Sequence, residues 1–185
     1  ALSAFCLLTS DKQYDSYKLD FSTFSVCGRF EMVSHFQGGS ILIDYAHNEA
    51  SLKNLLESLR SYHPNRILCM FGCGGNRSAV RRSAMGRVSS ELADLTIITQ
   101  DNSRDEPFEQ ILADILLGVT GDYVVIRDRK EAIGYCMSQM RPGDLLVLVG
   151  KGHEDTQEIA GKVEAFSERD IVESIEKTKK GKVSK

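Results

Sequence analysis

Five short apolar runs recur along the chain: 41-ILI-43, 67-ILCMF-71, 95-LTIIT-99, 123-YVVI-126 and 145-LLVLV-149. They are nearly continuous and rich in β-branched residues, the pattern of strands covered on both faces. Helical stripes lie between them. Leu52, Leu55, Leu56 and Leu59 fall at helical spacing behind an N-cap candidate, Asn48. Val80, Ala84, Met85, Val88 and Leu92 form a second stripe. Phe108, Ile111, Leu112, Ile115 and Leu116 form a third, with Pro107 suited to a first turn. Ala132, Ile133, Cys136, Met137 and Met140 form a fourth. This alternation predicts a Rossmann-like α/β fold, a mostly parallel sheet of about six strands with right-handed crossovers and helices on both faces. Beyond Asp155 the pattern changes. Residues 156–166 read as an edge hairpin around Ala160-Gly161, and Ser167 caps a closing helix whose inner face carries Ile171, Val172 and Ile175.

Composition narrows the function classes. The 185 residues are 42% hydrophobic and 26% charged, with a formal net charge of −3. Such a balance gives no electrostatic case for nucleic acid or a membrane surface as partner. The basic stretch 177-KTKKGKVSK-185 lacks apolar periodicity and reads as a frayed tail. The five cysteines are odd in number and none are spaced C-x-x-C, which fits reduced thiols and a cytoplasmic setting. No apolar run is long enough to span a bilayer. The opening 1-ALSAFCLLTS-10 reads like the end of a helix, and residues 10–28 like a polar linker. The expected division is therefore residues 1–27 as the tail of a preceding domain and residues 28–185 as the regular domain.

In a sheet of this kind ligands bind outside the carboxyl ends of the strands. Every strand exit here is polar: Asp44-Tyr45-Ala46-His47-Asn48, Gly72-Cys73-Gly74-Gly75-Asn76-Arg77, Gln100-Asp101-Asn102-Ser103-Arg104, Arg127-Asp128-Arg129 and Gly150-Lys151-Gly152-His153-Glu154-Asp155. The opposite connections, 61-SYHPN-65 and 141-RPGD-144, look like ordinary turns. Neither glycine loop matches G-x-G-x-x-G or the G-x-x-x-x-G-K-[ST] phosphate loop. Their glycines serve either close backbone approach to an anion, with Arg77 or Lys151 supplying charge, or merely tight turns. Asp44 serves either a ribose or metal-bound phosphate, or the cap of the next helix. Arg29 is open to pairing with Glu31 on the surface. Cys73 and His153 offer a thiol nucleophile or half a metal site only weakly, since nothing completes four ligands.

Taken together, GRFE, DYAHN, FGCGGNR, DNSR and GKGHED, in this order and at these separations, resemble the C-terminal domain of the Mur ligases over roughly residues 28–175. DNSR before a helix and GKGHED after a strand are the most specific elements. DYAHN is shared more widely, with folylpolyglutamate and cyanophycin synthetases among others. The resemblance implies an ATP-dependent amide ligase of peptidoglycan synthesis. In that chemistry ATP phosphorylates a carboxylate, an amine attacks the acyl phosphate, and phosphate leaves. It further implies three domains, of which this would be the lid that brings the amino acid and packs on the central, ATP-binding domain of the same protein. Among family members the likeness is to those adding meso-diaminopimelate to UDP-N-acetylmuramoyl-L-Ala-D-Glu.

By position in those motifs, Arg29, Asp44, Tyr45 and His47 look like ATP-facing residues. Arg77 resembles the arginine that holds a carboxylate of the amino acid. Asp101, Asn102, Ser103 and Arg104 fall on the recognition motif for the diamino acid, and Gly150 and Glu154 on the positions that bind its far amino group. An arginine and a carboxylate suit a distal zwitterion, because charge-assisted pairs orient as well as attract. No catalytic residue and no metal ligand is assigned: the phosphate loop and magnesium ligands of such enzymes are absent from this sequence, so the fragment is expected to be inactive alone. Ser103 stands where the family motif has proline, and 78-SAVRRSAMG-86 lacks the usual lysine and proline. The alternatives are a ligase adding lysine or another amine, and a non-catalytic amino-acid-binding module. A dinucleotide-dependent dehydrogenase lacks its glycine fingerprint here.

Overall fold

The computed structural model describes residues 27–183. Its elements are β1 (Glu31–Phe36), β2 (Gly39–Asp44), α1 (Glu49–Arg60), β3 (Ile67–Phe71), α2 (Ala79–Leu92), β4 (Leu95–Ile98), α3 (Phe108–Leu116), β5 (Tyr123–Val125), α4 (Arg129–Gln139), β6 (Leu145–Val149), β7 (Thr156–Ile159), β8 (Lys162–Ala165) and α5 (Glu168–Val183). The helix expected over 1–9 and the preceding-domain tail lie outside the described residues.

Six strands form one sheet in the order β1-β2-β6-β3-β4-β5. All neighbours are parallel except β1, which runs antiparallel to β2. The continuous apolar runs are explained by strict alternation between two cores. In β3, Ile67, Cys69 and Phe71 pack with α1, α2 and α3 on one face, while Leu68 and Met70 pack with α4 and α5 on the other. β6 divides in the same way, Leu145, Val147 and Val149 against Leu146 and Leu148. Right-handed crossovers require the split. The connections from β2 through β5 all progress one way along the sheet, whereas β5-α4-β6 turns back and so places its helix on the opposite face.

Local signals behave as expected at most termini. Asn48 Oδ1 accepts from Ser51 N at 3.0 Å and Asn48 N donates to Ser51 Oγ at 3.3 Å, a capping box for α1. Ser167 Oγ accepts from Asp170 N at the start of α5. Pro107 is the N-cap of α3, one residue ahead of its first turn. Val80 departs from the expected stripe: it is 77% exposed, and α2 buries Arg82, Met85, Val88 and Ser89. A charged residue on the inner face weakens the apolar period there, so the stripe is offset.

β1 was not among the apolar runs. It is an edge strand with Met32 exposed and an irregularity between Met32 and Ser34, so only part of it is buried. The 156–166 hairpin forms a two-stranded sheet of its own, attached by a parallel bridge between Ile159 and Arg104. The amino-end turns are knit by Asp144, which accepts from Arg66 and from Arg141 N. Among the described residues no helix is long and apolar enough to cross a membrane.

Candidate functional site

Asp44, Phe71 and Val149 share one register line at the carboxyl ends of β2, β3 and β6. The loops that follow therefore leave the sheet side by side. They enclose a cleft lined by Tyr45 and His47 after β2, by Gly72, Cys73, Gly74 and Arg77 after β3, by Asp101, Asn102 and Arg104 after β4, and by Gly150 and Glu154 after β6. α2 adds Arg81, Arg82 and Met85. Most of the expected site residues thus meet in one place. Arg29, Asp44 and Ser103 do not line the cleft; they support it.

Asp44 ties two chain segments together. Its Oδ2 accepts from Phe30 N and its Oδ1 from Ala46 N, each at 2.7 Å, and the helix cap belongs to Asn48. The possible Arg29–Glu31 pair is not formed. Glu31 pairs with Arg169 of α5 and accepts from Gly28 N, while Arg29 lies over the Tyr45 ring, 5.0 Å from its centroid. The same ring stands 4.9 Å from His47 and 5.2 Å from His153. Arg29 and His47 are both exposed and flank the Tyr45 ring, next to a carboxylate held by backbone donors.

The DNSR loop is stitched on three sides. Asn102 N donates to Asp101 Oδ1 at 2.6 Å. Ser103 N donates to Asp101 O at 2.7 Å, and Ser103 Oγ accepts from Gln100 Nε2 at 2.8 Å. A proline at 103 would have no N–H for the bond to Asp101 O, so serine restrains the loop by hydrogen bonding where proline would restrain it by its ring. Arg104 has φ of +52°, a conformation rarely tolerated outside glycine. Its backbone is clamped by the hairpin: Arg104 N donates to Glu158 O, and Ala160 N donates to Arg104 O. Its Nη1 donates to Gly75 O at 3.1 Å and Asn102 O at 3.3 Å, and its ion pair among the described residues is with Glu158, Nε to Oε2 at 3.5 Å. Gly75 N donates to Asn102 O at 2.8 Å, and a Cβ at Gly75 would stand 1.9 Å from Ser103 O. Only glycine permits the two loops this approach.

The cations of the site differ sharply in availability. Arg82 is buried and held by Glu106 and Asp114 at 2.5 and 2.9 Å, with Nη2 on Gly74 O. The Arg82 hydrogen bonds keep the Glu106 carboxyl below its ordinary value. Arg81 donates twice to His47 O. Arg77 is exposed and has no ion-pair partner among the described residues. Lys151 was a candidate to meet a bound anion, but it is fully buried and its Nζ donates to Asn102 Oδ1 at 3.0 Å and Thr156 O at 2.7 Å. Beneath it Arg129 pairs with Glu168 at 2.8 Å and stands 3.8 Å from Asp101 Oδ2. Sequence reasoning placed Arg129 at a strand exit but missed its pairing with Glu168, because a pair 39 positions apart has no local period.

Cys73 is set up as a core thiol rather than as a nucleophile. It is buried with its Sγ 3.9 Å from Met85 Sδ, and desolvation pushes its thiol up to about 12. Among the described cysteines, brief alkylation at pH 8 followed by mass mapping is expected to label Cys27, which is exposed, and to spare Cys69, Cys73 and Cys136, all buried. Labelling of Cys73 as fast as Cys27 would contradict this. No group of His, Cys, Asp and Glu suited to a metal ion occurs among the described residues.

In doubly wound α/β domains ligands bind across the carboxyl ends of the strands, and the charged cleft of this chain lies at that place. The chain belongs to the Mur ligase family: residues 28–152 match the Mur ligase, glutamate ligase domain. It is 39% identical over 155 residues to a UDP-N-acetylmuramoyl-L-alanyl-D-glutamate--2,6-diaminopimelate ligase of Alkaliphilus metalliredigens, covering 82% of this chain and 31% of the relative. A ligase of the same name from Trichormus variabilis is 45% identical over 149 residues, covering 78% and 30%. A solved structure of an enzyme of that name superposes with a TM-score of 0.78 at 33% identity, covering 86% of this chain and 34% of the other. The chain thus spans about a third of the length of these relatives.

Proposed function

We propose that this chain is the amino-acid-binding lid of an ATP-dependent ligase that joins meso-diaminopimelate to the D-glutamyl carboxylate of UDP-N-acetylmuramoyl-L-Ala-D-Glu. The observation that carries the reading is the cleft's charge layout. Arg77, unpaired among the described residues, and Arg104 stand with Asn102 and Glu154 around one space. Arginines suit a carboxylate, and Glu154 suits an ammonium, so the cleft fits a zwitterion at the far end of a diamino diacid. The two kinds of group come from different loops held in one register, which favours orientation over mere attraction.

Arg29, Asp44, Tyr45 and His47 form the wall assigned to ATP, which supplies the phosphoryl group that activates the carboxylate. Magnesium and the remaining ATP contacts belong to a central domain on which this lid would close, in the cytoplasm. The domain's own contribution is to hold the attacking amine still and to shield the reacting groups from water.

Calorimetry on the full-length protein, with ATP analogue and UDP-muramoyl dipeptide present, tests the substrate assignment. The expected result is binding of meso-diaminopimelate at least about a hundredfold tighter than L-lysine, because lysine lacks the carboxylate and leaves Arg104 without its partner. Equal affinities, or no binding of either, would remove the assignment.

A further inference from the structure

Lys151 sits in the GKGHED loop directly after Gly150, yet it faces inward and none of it is exposed. A buried ammonium is stable only when its charge and its donors are met. Here Asp101 Oδ1 stands 3.6 Å and Glu154 Oε2 3.7 Å from Nζ, and the Phe166 ring centroid 5.6 Å away. Nζ donates to Thr156 O and to Asn102 Oδ1. That second bond has a consequence for the cleft. Asn102 Oδ1 also accepts from Glu158 N at 3.0 Å, so the amide oxygen faces two donors. The amide can therefore point only one way, with Nδ2 toward Glu154 Oε2 at 2.9 Å. Reversed, it would set an N–H against an ammonium and an oxygen against a carboxylate.

We propose that Lys151 is a positioning residue for the far ammonium of the incoming diamino acid: from below the cleft it fixes the orientation of the Asn102 amide and draws the Glu154 carboxylate into place beside it. The proposal rests on the amino-acid site described under Proposed function. It also accounts for the lysine's burial in a loop whose other polar residues face out. Gly150 makes room for the arrangement: its φ is +115°, and a Cβ there would lie 2.8 Å from Asp101 Oδ2, on the carboxylate that flanks Lys151.

The test is steady-state kinetics of the full-length ligase carrying Lys151→Met, Lys151→Gln, Asn102→Ala or the pair Lys151→Met with Asn102→Ala. Lys151→Met is expected to raise the KM for meso-diaminopimelate about tenfold or more, with kcat and the KM for ATP within about threefold of wild type. Lys151→Gln keeps N–H donors for Asn102 Oδ1 and Thr156 O and is expected to raise it less. The double variant is expected to lose less than the sum of the two single losses, since Lys151 acts in part through Asn102. A KM for the amine unchanged in Lys151→Met, equal rises for amine and ATP, or additive losses in the double variant would each overturn the proposal. Should Lys151→Met not fold, Lys151→Gln decides by the same comparison of amine with ATP. Failure of the wild-type protein to use meso-diaminopimelate would instead remove the substrate reading and leave this arrangement without its ligand.

Discussion

Glu168→Ala is expected to destabilise the 185-residue chain by about 3–5 kcal/mol, measured by urea unfolding, because it strands a buried guanidinium. Glu168 and Arg129 are the first residues of α5 and α4, and their side chains are 1% and 0% exposed. Arg129 donates to Glu168 Oε1 through Nε at 2.9 Å and to Val149 O through Nη2 at 2.9 Å. Its Nη1 already has no hydrogen-bond partner, so the arginine depends on the carboxylate for most of its compensation. Breaking a buried pair from one side costs far more than replacing both members. The double change Arg129→Met with Glu168→Leu should therefore recover most of the loss. A Glu168→Ala penalty under about 1 kcal/mol would show that water reaches Arg129 and that the pair is not a true interior one.

The second large effect concerns Arg104. In the full-length ligase Arg104→Ala is expected to raise the KM for meso-diaminopimelate about ten- to hundredfold, the cost of one charge-assisted contact left unmade, while the KM for ATP moves by less than about threefold. Arg104→Lys should restore little, since a compact ammonium lacks the planar fork with which one guanidinium nitrogen bonds Gly75 O and Asn102 O while the others remain for a carboxylate. The competing reading is that Arg104 only holds the loop. Its bonds to Gly75 O and Asn102 O give that reading substance, and its pairing with Glu158 rather than with adjacent Asp105 shows that it ties the loop to the hairpin. Proportional rises for amine and ATP would decide in favour of loop holding alone.

The strand exits were legible because the physics is local. An apolar run that ends abruptly in Asp44, Gly72, Gln100 or Gly150 marks where backbone leaves a buried sheet for its polar edge, and the loops that these residues open do gather around one cleft. The bonding partners of residues with two readings could not be read from the local pattern. Asp44 proved to bind Phe30 and Ala46 backbone, Glu31 to bind Arg169, and Lys151 to lie under the cleft rather than in it. Edge strand β1 escaped because an edge needs only one side of its residues covered, which leaves no continuous apolar run.

By itself the amino-acid sequence determined the alternation of strand and helix, the two-faced core, the polar rim at the carboxyl ends of the strands, and, through its motifs, the Mur ligase family. Periodicity and turn chemistry act over a few residues and are written in the local order of side chains. Only the tertiary structure decided which charges face the cleft and which are consumed beneath it. Arg77 and Lys151 are both cations in glycine-rich loops, yet one is exposed and the other is enclosed by Asp101, Asn102, Glu154 and Thr156. The difference follows from strand register and the placement of the β7–β8 hairpin, contacts across dozens of residues that set desolvation and pairing and that no local pattern encodes.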